Sequence, residues 1–277
     1  MNVSIASGKG GTGKTTIAVN LALALGDVQL LDCDVEEPNC HIFLDPEINE
    51  AREVFVDVPE IDFNACDYCG KCAEFCQYNA LAVAGDTLLE FNELCHGCGG
   101  CMKVCPKNAI TEKKKRVGVV KTGVAGEAHF SYGLLDVGQA MATPVINYLK
   151  KQASQDKDTL IDAPPGTSCA VIESVKDSDY CILVTEPTPF GLNDLKLAVE
   201  MLETLCIPHG VIVNRDGVGD DRVDEYCMKK DVPILLKIPH DEEIARLYSE
   251  GIPFTKHLHE YAFMLKDMYA RIRGLVE

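Results

Sequence analysis

Short, strongly apolar runs alternate along most of this chain with longer stretches whose apolar positions recur every three or four residues. Val3–Ala6, Val28–Asp32, Val117–Lys121, Thr159–Asp162, Tyr180–Thr185, Gly210–Asn214 and Ile234–Ile238 read as buried strands. Thr15–Leu25, Thr143–Gln152, Asn193–Leu205 and Asp241–Tyr248 read as helices between them. Strands apolar throughout and separated by helices predict an α/β fold, a doubly wound and mainly parallel sheet covered on both faces. A final stretch, Leu258–Val276, sets Leu258, Tyr261, Leu265, Met268 and Ile272 at helical spacing and is expected to pack on the core.

One segment breaks this rhythm. Between residues 59 and 115 the motif Cys-x-x-Cys-x-x-Cys-x-x-x-Cys occurs twice, at Cys66, Cys69, Cys72 and Cys76 and at Cys95, Cys98, Cys101 and Cys105. Each copy is followed by the same kind of residues, Asn79-Ala80-Leu81 and Asn108-Ala109-Ile110. The chain is therefore read as an α/β body, residues 1–58 and 116–277, interrupted after its second strand by an inserted domain, residues 59–115. The basic run Lys113–Arg116 is expected to be a solvated loop at the junction.

Charge and cysteine usage narrow the possible partners. A net charge of −17 excludes a general nucleic-acid binder, which needs a basic face for the phosphates. No apolar stretch reaches the length of a membrane span, and Met1–Ala6 lacks the basic start and apolar run of a secretion signal. A reducing, cytoplasmic setting is expected, with no membrane partner. There, eight closely spaced cysteines read as metal ligands before disulfides.

Between the first strand and the first helix lies Gly8-Lys9-Gly10-Gly11-Thr12-Gly13-Lys14-Thr15-Thr16, a match to G-x-x-x-x-G-K-[ST]. Its glycines free backbone N–H groups to wrap an oxyanion at a helix N-terminus. Lys14 is expected on the β- and γ-phosphates of ATP and the Thr15 hydroxyl on Mg²⁺.

The second lysine in this loop, Lys9, makes the motif resemble the deviant Walker A family of MinD, ParA, the nitrogenase iron protein and the Mrp-type iron–sulfur carriers. That resemblance implies an ATP-sandwich dimer, homomeric or formed with a related chain, in which Lys9 reaches the partner's nucleotide. Asp32-Cys33-Asp34 then looks like switch I, with Asp34 positioning the attacking water and Asp32 near the Mg²⁺. Asp162-Ala163-Pro164-Pro165-Gly166 resembles switch II, with Asp162 holding Mg²⁺ through water. Lys9, Lys14 and Asp34 become the catalytic candidates. Asn214 and Arg215, with Pro239 and Asp241, look like the adenine-binding segments.

The cysteine runs have the spacing of bacterial two-cluster ferredoxins, in which the fourth cysteine of each run serves the other cluster. Carried over, one [4Fe–4S] cluster takes Cys66, Cys69, Cys72 and Cys105, the other Cys95, Cys98, Cys101 and Cys76. Gln77 departs from the usual proline after the fourth cysteine, whereas Pro106 keeps it. Two Cys₄ zinc sites are the alternative, though zinc sites normally separate their cysteine pairs by a longer loop. The remaining cysteines scatter and are expected to be mostly buried; Cys169, just past switch II, is kept as a possible ligand of a third metal site. His41 and His96 have no ligand-spaced partner. The leading functional expectation is an ATPase that gates electron transfer to a redox or metalloprotein partner. A cluster or metal-cofactor assembly factor stands beside it, as does a ParA/MinD-type switch whose clusters are structural.

Overall fold

Val3 to Ala6 offers no face to solvent, so it can only be a central strand. In the computed structural model, which describes residues 1–154 and 156–276, it forms β1 (Asn2–Ala6) in the middle of a nine-stranded sheet. The chain leaves β1 through the glycine-rich loop into α1 (Lys14–Leu25) and returns as β2 (Gln29–Asp32). A one-turn helix, α2 (Cys40–Leu44), leads into the long β3 (Glu47–Ile61). Residues 62–109 then build a small lobe from α3 (Lys71–Phe75), a hairpin of β4 (Leu81–Ala84) and β5 (Thr87–Glu90), and α4 (Gly100–Val104). Two more strands, β6 (Ile110–Ala125) and β7 (Ala128–Leu135), lead back to the body.

From there the alternation is regular: α5 (Thr143–Lys150), β8 (Thr159–Asp162), α6 (Cys169–Val175), β9 (Tyr180–Thr185) and α7 (Pro189–Thr204). The chain ends through β10 (His209–Asp216), α8 (Arg222–Lys230), β11 (Ile234–Pro239), α9 (Glu242–Ser249) and α10 (His259–Val276). The sheet order is β11-β10-β9-β1-β8-β2-β7-β6-β3. It is parallel from β11 to β7 and antiparallel across β7-β6-β3.

Period-two alternation sorts the apolar side chains of each inner strand onto the two faces. Val3, Ile5, Leu30, Leu160, Ile182 and Ile212 point to one face, where they meet α1 and α10 residues such as Ile17, Leu21, Leu265 and Ile272. Their neighbours go to the opposite face. Leu183, Val211 and Val213 pack with α7, while Leu31 and Ile161 pack with α5. The closing helix buries Tyr261, Leu265, Met268, Tyr269 and Ile272, as the spacing of its apolar residues leads one to expect. Among the described residues no helix is long and apolar enough to cross a membrane.

Three expectations are corrected. Val117–Lys121 is not a parallel strand of the alternation; it lies inside β6, antiparallel to both its neighbours. Lys113–Arg116 is not a loop but part of the same strand, where Lys114 pairs with Asp57 and Arg116 with Glu53 across the ladder to β3. The lobe therefore follows the third strand, not the second. Charged residues hid this ribbon. β3 carries Glu47, Glu50, Glu53, Asp57 and Glu60, so it lacks the apolar run that marks the inner strands. It forms at the sheet edge because β6 pairs with it from Glu47–Val124 to Ile61–Ile110, interrupted only by irregularities at Ile48/Glu50 and Val54/Phe55.

Candidate functional site

The loop after β1 needs a left-handed residue just before α1, and Gly13 supplies it at φ 91°. A Cβ there would lie 2.3 Å from the Asn214 amide nitrogen, so the position excludes any side chain. The loop's backbone is tied on two sides. The Ser7 hydroxyl donates to the Lys9 carbonyl (2.8 Å), and Asn214 Nδ2 donates to the Thr12 carbonyl (2.8 Å).

Asp162, at the end of β8, sits beneath this loop and is fully buried. Its carboxylate accepts from Lys14 Nζ (2.7 Å), Thr15 Oγ1 (2.7 Å) and Cys40 Sγ (3.4 Å). Burial alone would lower the Lys14 ammonium's pKa, but Asp162 beside it, with Asp32 behind, holds it above its ordinary value. Asp32, at the end of β2, accepts the backbone N–H groups of Asp34, Asn39 and Cys40 and so fastens the first turn of α2. Burial, reinforced by the charge of Asp162, pushes its carboxyl well up from the usual range. Asp32, Cys40 and Asp162 bring three ligand atoms within 4.8 Å of one another, the one such group among the described residues.

Above the loop opens a cavity of about 710 Å³. Its walls include Gly10, Gly11, Gly13, Lys14, Thr15 and Thr16 on one side and Asn214, Arg215, Pro239 and Asp241 on the other. Asp34 and Pro165, just after β2 and β8, close it on a further side, and burial raises the Asp34 carboxyl to about 6. The residues expected at phosphate, water and adenine are thus gathered round one opening. Gly8, Thr12, Asp32 and Asp162 lie outside its lining, as does Lys9, which turns to Glu186 with Nζ 3.6 Å from Oε2. Glu186 was not among the sequence candidates, although a carboxylate directly after the fully buried strand β9 is itself a signal. Cys40 was missed too, because a lone cysteine carries none.

The lobe repeats itself in three dimensions. Tyr68 and Gly97, Gly70 and Gly99, and Asn79 and Asn108 are equivalent positions of the two motifs, and all six have positive φ. Cys66 Sγ and Cys95 Sγ each accept the N–H two residues on, from Tyr68 and Gly97. Cys76 Sγ and Cys105 Sγ each accept the N–H four residues on, from Ala80 and Ala109. One narrow cavity is lined by Cys66, Cys69, Cys72 and Cys105; a second, of about 190 Å³, by Cys76, Cys95, Cys98 and Cys101. Burial raises the Cys72 thiol, with Cys66 and Cys105 adding to it, and raises Cys95, with Cys76 and Cys98 adding. Tyr78 stacks on His96 at the wider cavity (centroids 3.5 Å apart). Cys33, Cys40, Cys181 and Cys227 are buried as expected, whereas Cys206 is exposed. Cys169, at the start of α6, is also exposed, and no group of three ligand side chains among the described residues includes it.

The model of the CobQ/CobB/MinD/ParA nucleotide binding domain matches residues 3–254. An uncharacterized protein of Methanocaldococcus jannaschii is 33% identical, over 93% of this chain and 92% of its own length. The iron-sulfur cluster carrier protein of Pyrococcus abyssi is 25% identical over 91% of this chain and 78% of its own. Among solved structures, the septum site-determining protein MinD of Pyrococcus horikoshii, complexed with Mg-ADP, shares the fold. It has a TM-score of 0.60 and 22% identity over 100% of this chain and 98% of that one. A glycine-rich loop between β1 and α1, with buried aspartates ending β2 and β8, agrees with the match, and the chain belongs to the CobQ/CobB/MinD/ParA family as a P-loop ATPase of the MinD/ParA type.

Proposed function

We propose that this ATPase couples its nucleotide state to two [4Fe–4S] clusters in the inserted, ferredoxin-like lobe and so gates electron transfer to a partner metalloprotein. The observation that carries the reading is the exchange of fourth cysteines, with Cys105 joining Cys66, Cys69 and Cys72, and Cys76 joining Cys95, Cys98 and Cys101. The spacing of the sulfurs supports clusters over zinc. A tetrahedral zinc with Zn–S of about 2.3 Å holds its sulfurs about 3.8 Å apart, yet no three of these cysteine sulfurs lie within 4.8 Å of one another. The N–H···S bonds to Cys66, Cys76, Cys95 and Cys105 favour thiolates and tune a cluster's potential. Bound there, each cluster supplies a one-electron carrier.

In the body, ATP takes Lys14 over from Asp162, and Thr15 and Asp162 hold magnesium, which neutralises phosphate charge. Asp34, ionised at neutral pH, accepts a hydrogen bond from the attacking water and aims it. Lys9 crosses to the nucleotide of a second copy or of a related chain. Asp32 bonds to the first turn of α2, and only Asp45 and Pro46 separate α2 from β3. A shift at Asp34 therefore has a short, hydrogen-bonded route to the ribbon that carries the lobe.

The test is the reduction potential of the clusters in anaerobically purified protein, followed by EPR with and without Mg-ATP. A reproducible shift supports the coupling; no shift, together with iron–sulfur passing to an acceptor apoprotein, supports a cluster carrier instead. That second reading is favoured by the relatives named iron-sulfur cluster carrier protein and by the exposure of Cys69 and Cys98, one in each set. No shift and no transfer leaves the lobe a brace on a MinD/ParA-type switch.

A further inference from the structure

Glu186 directly follows β9 with its side chain only 11% exposed, and its two oxygens are shared between two cations. Oε1 accepts from Arg215 Nη1 at 2.5 Å; Oε2 faces Lys9 Nζ at 3.6 Å. A carboxylate this buried is costly unless paired, so each cation it holds is held for a reason of energy as well as geometry. The arrangement is braced from behind. The Thr188 N–H donates to the Glu186 carbonyl (2.8 Å), and Ser7 fixes the Lys9 backbone. Arg215 reaches Glu186 from a left-handed backbone, φ 55°, a conformation that costs a non-glycine residue energy and persists only where its surroundings impose it. The Lys9 ammonium is therefore drawn to its own chain's carboxylate and away from the outward path it needs to reach another subunit.

Phe190, in the first turn of α7 four residues after Glu186, is 78% exposed, and Val218, three residues after Arg215, is 55% exposed. Phe190 is thus an apolar side chain left open to solvent close in sequence to Glu186, while Val218 lines the nucleotide cavity.

We propose that Glu186 is an intrachain latch on Lys9, which keeps the free chain poor at pairing and must release the lysine before two nucleotide-loaded copies close. The proposal rests on the sandwich dimer of the preceding section. It differs from a positioning role in sign, since a residue that merely presented Lys9 to its partner would weaken the dimer when removed, whereas a latch strengthens it.

The test is Glu186→Gln, which keeps the size of the side chain and removes the charge. In the nucleotide-free full chain, acylation of Lys9 by an amine-reactive reagent, read by peptide mass spectrometry, should be about two- to fivefold faster in the variant, the range of one partly exposed ion pair. With the non-hydrolysable analogue AMPPNP and Mg²⁺, sedimentation should show the variant pairing at roughly tenfold lower concentration, because two such pairs are released per dimer. The advantage should vanish in Lys9→Gln, with and without the Glu186 change. Equal labelling of Lys9, a dimer no tighter than wild type, or an advantage that survives in Lys9→Gln each overturns the latch. If wild type and all variants stay monomeric with AMPPNP, the sandwich dimer is refuted and the latch falls with it, whatever the labelling shows.

Discussion

Lys14→Met removes one half of the most deeply buried ion pair in the body, and the loss can be worked out from its surroundings. Lys14 is 6% exposed and Asp162 not at all, with Nζ 2.7 Å from Oδ1. Taking away one partner of such a pair costs about 3–5 kcal/mol, because the other charge is left buried. Asp32, also fully buried, makes the cost depend on pH. Burial and Asp162 raise its folded pKa above the unfolded value, and Lys14 is one of the groups that restrain that rise. A carboxyl raised on folding binds its proton more readily in the native state. Its contribution is therefore full below the ordinary carboxylate range and is lost as the pH climbs through the raised folded value. Without Lys14 that value climbs further, so the variant should suffer least in acid and most in base. With about 2–4 °C of melting temperature per kcal/mol in a chain of this size, the drop should be roughly 10 °C near pH 8.5 and less than half of that near pH 5.5. Circular-dichroism melts of anaerobic, nucleotide-free protein at the two pH values measure it. A variant melting within about 2 °C of wild type at both would refute the buried pair and, with it, the idea that ATP must take Lys14 from Asp162.

Three further outcomes are expected. ATP hydrolysis should decline as the pH falls through about 6, where Asp34 takes up a proton; Asp34→Asn should abolish that limb and slow phosphate release by about 10²-fold. Gly13→Ala forces a side chain into the Asn214 amide at a left-handed position, so a fluorescent ATP analogue should no longer bind while the far-UV spectrum stays native. Cys76→Ser and Cys105→Ser should each cost about one cluster's worth of iron, four atoms, and the two variants should lose different EPR signals, because each serine falls in a different set.

What could be read from the sequence was whatever depends on local chemistry. The phosphate loop needs its glycines and lysine in fixed order, and β1, β8, β9, β10 and β11 are apolar enough to declare themselves. The doubled cysteine motif likewise declares itself by its repeated spacing. What stayed hidden depends on partners far away in the chain. β3 is a strand because β6 lies beside it, and most of its own residues are exposed. Cys40 meets Asp162 only through the fold, across 122 residues of chain. Glu186 meets Lys9 in the same way, since the parallel pairing of β1 with β9 brings the ends of those strands together.

The ribbon of β3 and β6 has one more consequence. The lobe's two ends, Ile61 and Ile110, are cross-strand neighbours, so chain leaves and re-enters the ribbon at one point, about 5 Å across. A graft made there leaves the body's strand order untouched, and a tight two-residue turn could take its place and return the ribbon to a plain hairpin. The lobe and the nucleotide-binding body thus meet at a socket: either could be exchanged over evolutionary time, or on the bench, without the other having to refold.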